Sequence, residues 1–155
     1  MVWIAISAKG LSEPLIMKSG CLNAELYSKD CLNKRLVKFI AEYHSDDKYI
    51  FWPDLATSHY ANLTQAEYSR LNIKVVPKNL NPPNVPQVRP IEIFWAILKR
   101  RVYSDGWTAE SVEHLIKKIK KELKNMPSNV CQNLMSGLKT KVRKAADNGV
   151  LSVIN

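Results

Sequence analysis

The sequence predicts a single α/β domain, on three observations. Four short, mostly apolar stretches read as β-strands: 2–8 (VWIAISA), 13–18 (EPLIMK), 49–52 (YIFW) and 73–77 (IKVVP). Apolar residues recur at helical spacing between and after them, most regularly over 23–43, 90–102 and 112–126. There is no internal repeat, low-complexity run or linker, so one continuous domain is the economical organisation.

At 155 residues the chain is long enough for a proper hydrophobic core, and 46% hydrophobic with 24% charged residues is ordinary for a globular protein. No apolar run is long enough to span a bilayer, and the N-terminus has neither the basic region nor the cleavage site of a signal peptide. Cys21, Cys31 and Cys131 are odd in number and have no ligand-like spacing, which argues for free thiols over zinc or a disulfide. The net charge of +9 is unevenly shared: residues 1–80 carry 10 Lys+Arg against 8 Asp+Glu, and 81–155 carry 13 against 6. A basic C-terminal half suits a polyanion, DNA before others, although lysine-rich helices are often simply solvated.

In chain order, 2–8 and 13–18 form a hairpin around Lys9-Gly10, and the expected helix 23–43 packs through Leu26, Leu32, Leu36, Val37, Phe39 and Ile40. His44-Ser45-Asp46-Asp47 ends that helix as a polar turn, with Asp46 and Asp47 read as solvated acids. The strand 49–52 runs straight into Pro53-Asp54. Asp54 thus falls at or just past a strand's C-terminal end, where open α/β sheets commonly place their chemistry; an Asp capping the next turn is the alternative. A short helix over 64–71 and the strand 73–77 lead into the proline-rich run. Beyond it Asp105-Gly106 makes a turn and Thr108 is the expected N-cap of a helix, with Glu110 and Glu113 near its positive end. Val112, Leu115, Ile116, Ile119, Leu123 and Met126 supply that helix's core face, and lysines occupy its other faces. Pro127-Ser128 opens a last helix with Leu134, Leu138 and Val142 inward, closed by Asn148-Gly149.

The segment 81–102 (NPPNVPQVRPIEIFWAILKRRV) organises the rest. Pro82, Pro83, Pro86 and Pro90 hold the backbone extended, and Pro90 suits the first turn of a helix because its missing N–H costs nothing there. Ile91, Phe94, Trp95, Leu98 and Val102 then form an apolar stripe. Glu92 sits beside that stripe in the first turn, either as a favourable charge against the helix dipole or as a carboxylate fixed for chemistry.

Two stretches carry a family resemblance. The run PNVPQVRPIEIFWAILKRRVY resembles the signature around the third acidic residue of mariner-superfamily transposases, and WPDLATSHYA resembles their second-acid motif. The separation, 92 − 54 − 1 = 37 residues, is that of a subgroup with a long gap between these acids. The resemblance covers nearly the whole chain. It implies a ribonuclease H-like (Asp–Asp–Glu transposase/integrase) α/β fold, with 1–103 the core part and 104–155 C-terminal basic helices. By the same resemblance Asp54 and Glu92 are catalytic residues and ligands for Mg²⁺ or Mn²⁺, and they should approach one another in the folded chain. His59, just past Asp54, is either an accessory site residue or a turn residue. DNA is the implied partner, with Lys99, Arg100, Arg101, Lys117, Lys120, Lys121 and Lys124 the candidate contacts, and the implied location is nuclear. No membrane and no small-molecule cofactor are expected.

The family's first Asp, on a strand preceding the one matched by 2–8, has no counterpart here; Asp30, Asp46 and Asp47 lie in the wrong topological places. The fold is therefore expected to be incomplete, lacking its first strand. Unpaired inner sheet edges should then lower stability and promote a homo-oligomer. Two functional readings compete: a fragment or relic of a cut-and-paste transposase, unable to place two metal ions by itself, and a domesticated DNA- or protein-binding module without catalysis.

Overall fold

The computed structural model describes residues 1–83, 85–149 and 152. Asn84 of the proline-rich run, Val150, Leu151 and residues 153–155 lie outside them. The chain divides into two compact units, one of residues 1–5 and 11–84, the other of residues 6–10 and 85–155.

In the first unit β1 (Val2–Trp3) pairs antiparallel with the later strand Leu15–Ile16, in the register Val2 to Ile16 and Trp3 to Leu15. The expected hairpin is present but interrupted. Ile4 and Ala5 are buried, and the Ala5 N–H donates to Ser12 Oγ at 2.9 Å while Ser12 N–H donates to the Ala5 carbonyl at 2.9 Å. A side-chain hydroxyl thus takes the place of a ladder carbonyl, which splits the predicted strand 2–8 in two; of 13–18 only Leu15–Ile16 is strand, and Gly10, read as part of the turn, pairs instead. The tip of the hairpin, β2 (Ile6–Ser7) and β3 (Gly10–Leu11), forms a second two-stranded piece, and Leu15–Ile16 is β4.

The long helix begins as predicted, with Asn23 Oδ1 accepting from the Leu26 N–H at 2.9 Å. It runs from α1 (Ala24–Leu26) through a π-helical stretch (Tyr27–Leu36) into α2 (Val37–Tyr43). In the wider π turn the N–H of Val37 reaches back to Leu32 O. Side chains five residues on serve the loosened carbonyls: Asn33 Nδ2 donates to Ser28 O at 2.8 Å and Arg35 Nη1 to Asp30 O at 2.6 Å. This stretch buries Tyr27, the pair Cys31 and Leu32 four and five residues on, and Leu36 four and five beyond that pair, instead of the α-helical stripe. Leu26, placed in the core by periodicity, is consequently exposed. Tyr27, Cys31, Leu32, Leu36, Phe39, Tyr68 and Ile73 make up most of this unit's core. Burial pushes the Cys31 thiol up to about 12, so it stays a neutral, unreactive apolar group.

The strands predicted over 49–52 and 73–77 reduce to one parallel bridge, Phe51 with Val75. Phe51 N–H donates to Lys74 O at 2.7 Å and Val76 N–H to Phe51 O at 2.9 Å. The next rung would need an N–H from Pro53, which has none. The hydroxyl of Tyr60 donates to the Val76 carbonyl instead, at 3.0 Å. Among the described residues no ladder joins this bridge to β1 or β4. The polar turn after α2 is as expected: Asp46 Oδ1 accepts from Lys48 N–H at 3.4 Å, and Asp47 pairs with Lys74. Helix α3 (Asn62–Arg70) matches the predicted short helix.

The second unit is helical apart from the hairpin tip. Pro90 is the first residue of α4 (Pro90–Val102), as the sequence requires, and Phe94, Leu98 and Val102 are buried while Ile91 and Trp95 are half-buried. α5 (Val112–Lys124) starts later than Thr108 predicts: Ser111 is the N-cap, its Oγ accepting from His114 N–H at 3.1 Å. Val112, at the helix's first position, is therefore 51% exposed and no core residue. The predicted last helix is two, α6 (Ser128–Ser136) and α7 (Leu138–Asn148), divided at Gly137; α6 packs against β2 and α4. Val142, expected inward, is exposed at 40%, because the break at Gly137 resets the helical phase. Gly149 ends α7 at φ 80°, the left-handed region that glycine tolerates.

Candidate functional site

Asp54 follows directly from the truncated rung. With Pro53 unable to continue the ladder, the chain turns away, and Asp54 Oδ1 accepts from Ala56 N–H at 2.9 Å in a tight Asx turn. A short 3₁₀ turn (Thr57–His59) follows and carries His59 back: its Nδ1 lies 2.7 Å from Asp54 Oδ1 and 3.3 Å from the Asp54 carbonyl. Helix α3 clamps this turn from the other side. Thr64 Oγ1, fully buried, donates to Ser58 O at 2.6 Å, and Gln65 Nε2 donates to His59 O at 3.4 Å. The two partners differ sharply in solvation, with 9% of the His59 side chain and 59% of the Asp54 side chain exposed. An exposed carboxylate is thus tethered to a buried imidazole.

Two further residues shape this corner, and sequence reasoning did not single them out for it. Asn81 is buried, and its amide orientation is set by chemistry. Trp52 Nε1, which can only donate, lies 2.7 Å from Oδ1, and the Pro53 carbonyl, which can only accept, lies 2.9 Å from Nδ2. Nδ2 also bonds the Tyr60 hydroxyl at 2.7 Å. One amide therefore ties together the residues on either side of Asp54. The second is Tyr27, fully buried, whose ring lies against His59 with centroids 4.2 Å apart. The only hint in the sequence was Asn81's place at the head of the proline run; nothing marked Tyr27, because an α-helical period puts it off the apolar face.

Glu92 lies in the first turn of α4 and is exposed, its N–H donating to Arg89 O at 3.1 Å. It belongs to the second compact unit and Asp54 to the first. Among the described residues no group of three or more His, Cys, Asp or Glu side chains is placed to hold a metal ion. The nitrogen that His59 turns toward Asp54 carries a proton, so it is no ligand in that state. The described residues thus do not fit a complete two-metal centre.

The basic candidates divide in two. Lys99 and Arg100 are exposed in the last turn of α4, where cations are favoured by the helix dipole. Lys117, Lys120, Lys121 and Lys124 are all exposed and fall at positions i, i+3, i+4 and i+7, so they share one face of α5. Arg101 is different: its Nε pairs with Glu122 Oε2 at 3.2 Å and its Nη2 donates to Asn125 O at 3.1 Å, fastening α4 to α5. Lys118 shares the same carboxylate at 3.1 Å, and together these cations hold Glu122 below the usual carboxylate range, Lys118 first.

This architecture is the ribonuclease H-like fold of transposase catalytic domains. The chain superposes on the catalytic domain of Mos1 mariner transposase, in a structure with raltegravir and Mg, with a TM-score of 0.79 at 17% identity, covering 96% of this chain and 74% of that one. A second structure of that catalytic domain gives 0.78 at 17% identity, over 96% and 73%. The Mos1 paired-end complex with Mn gives 0.77 at 16% identity, over 96% and 43%. In sequence the chain is 29% identical over 142 residues to the Tc3 transposase of Caenorhabditis elegans, spanning 92% of this chain and 41% of that relative's length. No protein-family model matches it. In sequence the chain is thus similar to part of the Tc3 transposase, and in fold to the catalytic domain of Mos1 mariner transposase.

Proposed function

We propose that this chain is a segment of a cut-and-paste DNA transposase, with Asp54 and Glu92 as two of its acidic site residues. The observation that carries the proposal is the 29% identity to a transposase along 92% of the chain. The Asx turn that fixes Asp54 and the proline-led helix start that fixes Glu92 support the assignment from independent directions. Divalent metal enters by analogy with the Mos1 domain, whose structures contain Mg or Mn. A third ligand is needed for paired-ion chemistry, and the described residues supply no such cluster. We therefore assign the chain no cleavage activity by itself. DNA is the proposed partner, since Mos1 is seen with a transposon end, and the nucleus is the proposed place of action.

A binding module without catalysis is the second reading, favoured by the solvated four-lysine face of α5. The test of the first is a nicking and strand-transfer assay on purified protein with Mg²⁺ or Mn²⁺. The expected result is no cut DNA. Robust cleavage abolished by Glu92→Ala would overturn the inactivity while upholding Glu92 as a site residue. Salt-sensitive DNA binding without cleavage fits both readings; complementation by a longer transposase chain carrying its own Glu92→Ala equivalent supports the first alone.

A further inference from the structure

We infer that Tyr27 is a positioning residue for the Asp54 carboxylate, acting through His59; the inference deepens the assignment of Asp54 made above and rests on it. A carboxylate oxygen and a backbone carbonyl can only accept hydrogen bonds. His59 Nδ1 faces both, Asp54 Oδ1 at 2.7 Å and Asp54 O at 3.3 Å. The proton is therefore on Nδ1, and the imidazole is committed as a donor toward Asp54. With Ala56 N–H at 2.9 Å, one carboxylate oxygen receives two donors.

A donor fixes an acceptor only if the donor is itself fixed. Backbone bonds hold the His59 main chain, its N–H on Ala56 O at 3.0 Å and its carbonyl under Gln65. They leave the ring free to turn about its side-chain torsions. Tyr27 removes that freedom: the two rings lie 4.2 Å apart, tilted by 36°. Tyr27 is in turn anchored from behind. It is fully buried, its hydroxyl bonds Tyr68 Oη at 3.1 Å, and Trp3 meets it edge-on with centroids 6.3 Å apart. A contiguous series of contacts thus runs from the core of the first unit, Tyr68 to Tyr27 to His59, out to a carboxylate that is otherwise 59% exposed. The π-helical stretch that begins at Tyr27 brings this ring to the core side of the helix, where it meets His59. For a surface acid such support matters, because an unsupported carboxylate is spread over its rotamers, whereas a working site needs one geometry.

The test is NMR on the isotope-labelled full chain. In wild type His59 should show the Nδ1–H tautomer by its ring nitrogen shifts, and its ring protons should be moved upfield by the Tyr27 face. Tyr27→Phe, which keeps the ring, should preserve both signals and the Asp54 carboxyl ¹³C shift. Tyr27→Leu, checked as folded by its methyl dispersion, should lose the upfield shift, mix the tautomers and move the Asp54 carboxyl signal. A folded Tyr27→Leu with an unchanged tautomer and Asp54 shift would make Tyr27 a core filler only and overturn the inference. Should Tyr27→Leu not fold, Asp54→Ala at the exposed end decides. The upfield shift from Tyr27 should persist while the Nδ1–H preference weakens, the Asp54 carbonyl at 3.3 Å being the acceptor that remains; loss of the upfield shift would show that Asp54 and not Tyr27 holds the ring, and sinks the idea. An Nε2–H tautomer in wild type does so directly. Mn²⁺ broadening of Asp54 signals is read on the same samples. Its absence beside an intact Tyr27–His59 signature removes the metal role of Asp54 and leaves the positioning chain standing.

Discussion

Glu67 illustrates what single polar residues do in this chain. Its carboxylate accepts from Arg70 Nε at 2.9 Å and Nη2 at 2.6 Å, and from Asn33 Nδ2, while Asn33 Oδ1 accepts from Arg70 Nη2 at 2.7 Å. The closed triangle ties α3 to the π-helical stretch. Arg70 first, then Asn33, lowers the Glu67 carboxyl to about 2, from an ordinary 4.5. A folded-state value below the unfolded one stabilises the fold at pH above about 4.5 and loses that contribution as pH falls through about 2. Glu67→Gln should therefore be less stable than wild type at pH 7, by roughly 1 kcal/mol for a partly exposed network. The deficit should hold from pH 7 down to about 4.5 and shrink as the pH is lowered from there toward 2 in urea titrations. A pH-independent gap would assign the effect to lost amide geometry and not to charge. Neither this triangle nor the Asn81 hub was legible in the sequence, because each joins residues tens of positions apart. Asp54 and Glu92, the proposed site residues, were singled out from local motifs instead.

At the scale of elements, local signals read correctly wherever one chain segment decides the outcome. Asn23 caps the long helix, Pro90 opens α4 and Gly149 closes α7, each for a reason confined to a few residues. The misreadings have a different cause. The strands 49–52 and 73–77 failed because a missing Pro53 N–H ends their ladder after one bridge, a property of the pair. Leu26 and Tyr27 exchanged places because the helix widens to a π turn. The start of α5 is the sharpest case, since two hydroxyl residues three positions apart could each cap it. With Ser111 as the cap, Ser111→Ala should cost about 1 kcal/mol and Thr108→Ala less than about 0.5 kcal/mol. Thermal unfolding of the two variants side by side measures the difference, and equal losses would reopen the assignment of the cap.

For the whole molecule the surplus of positive charge is the property with most consequence. Residues 81–155 hold 13 of the 23 Lys and Arg against 6 of the 14 acids. On the proposed reading these cations meet DNA phosphates, but they are not equivalent. Lys117, Lys120, Lys121 and Lys124 are solvated on one face of α5, whereas Arg101 is engaged by Glu122 and Asn125. Each phosphate neutralised contributes a slope of about −0.9 to the dependence of log K on log salt. Replacing the four lysines with alanine should thus flatten that slope by up to about 4 units and weaken binding alike on every DNA sequence. Arg101→Ala should instead lower the unfolding temperature, because it leaves Glu122 with one partner fewer, and should change the salt slope by much less. Fluorescence anisotropy with two unrelated duplexes across a salt series resolves both effects. Affinity that is indifferent to salt would remove the electrostatic account. A steep slope lost in Arg101→Ala but kept in the four-lysine variant would move the interface from α5 to the end of α4.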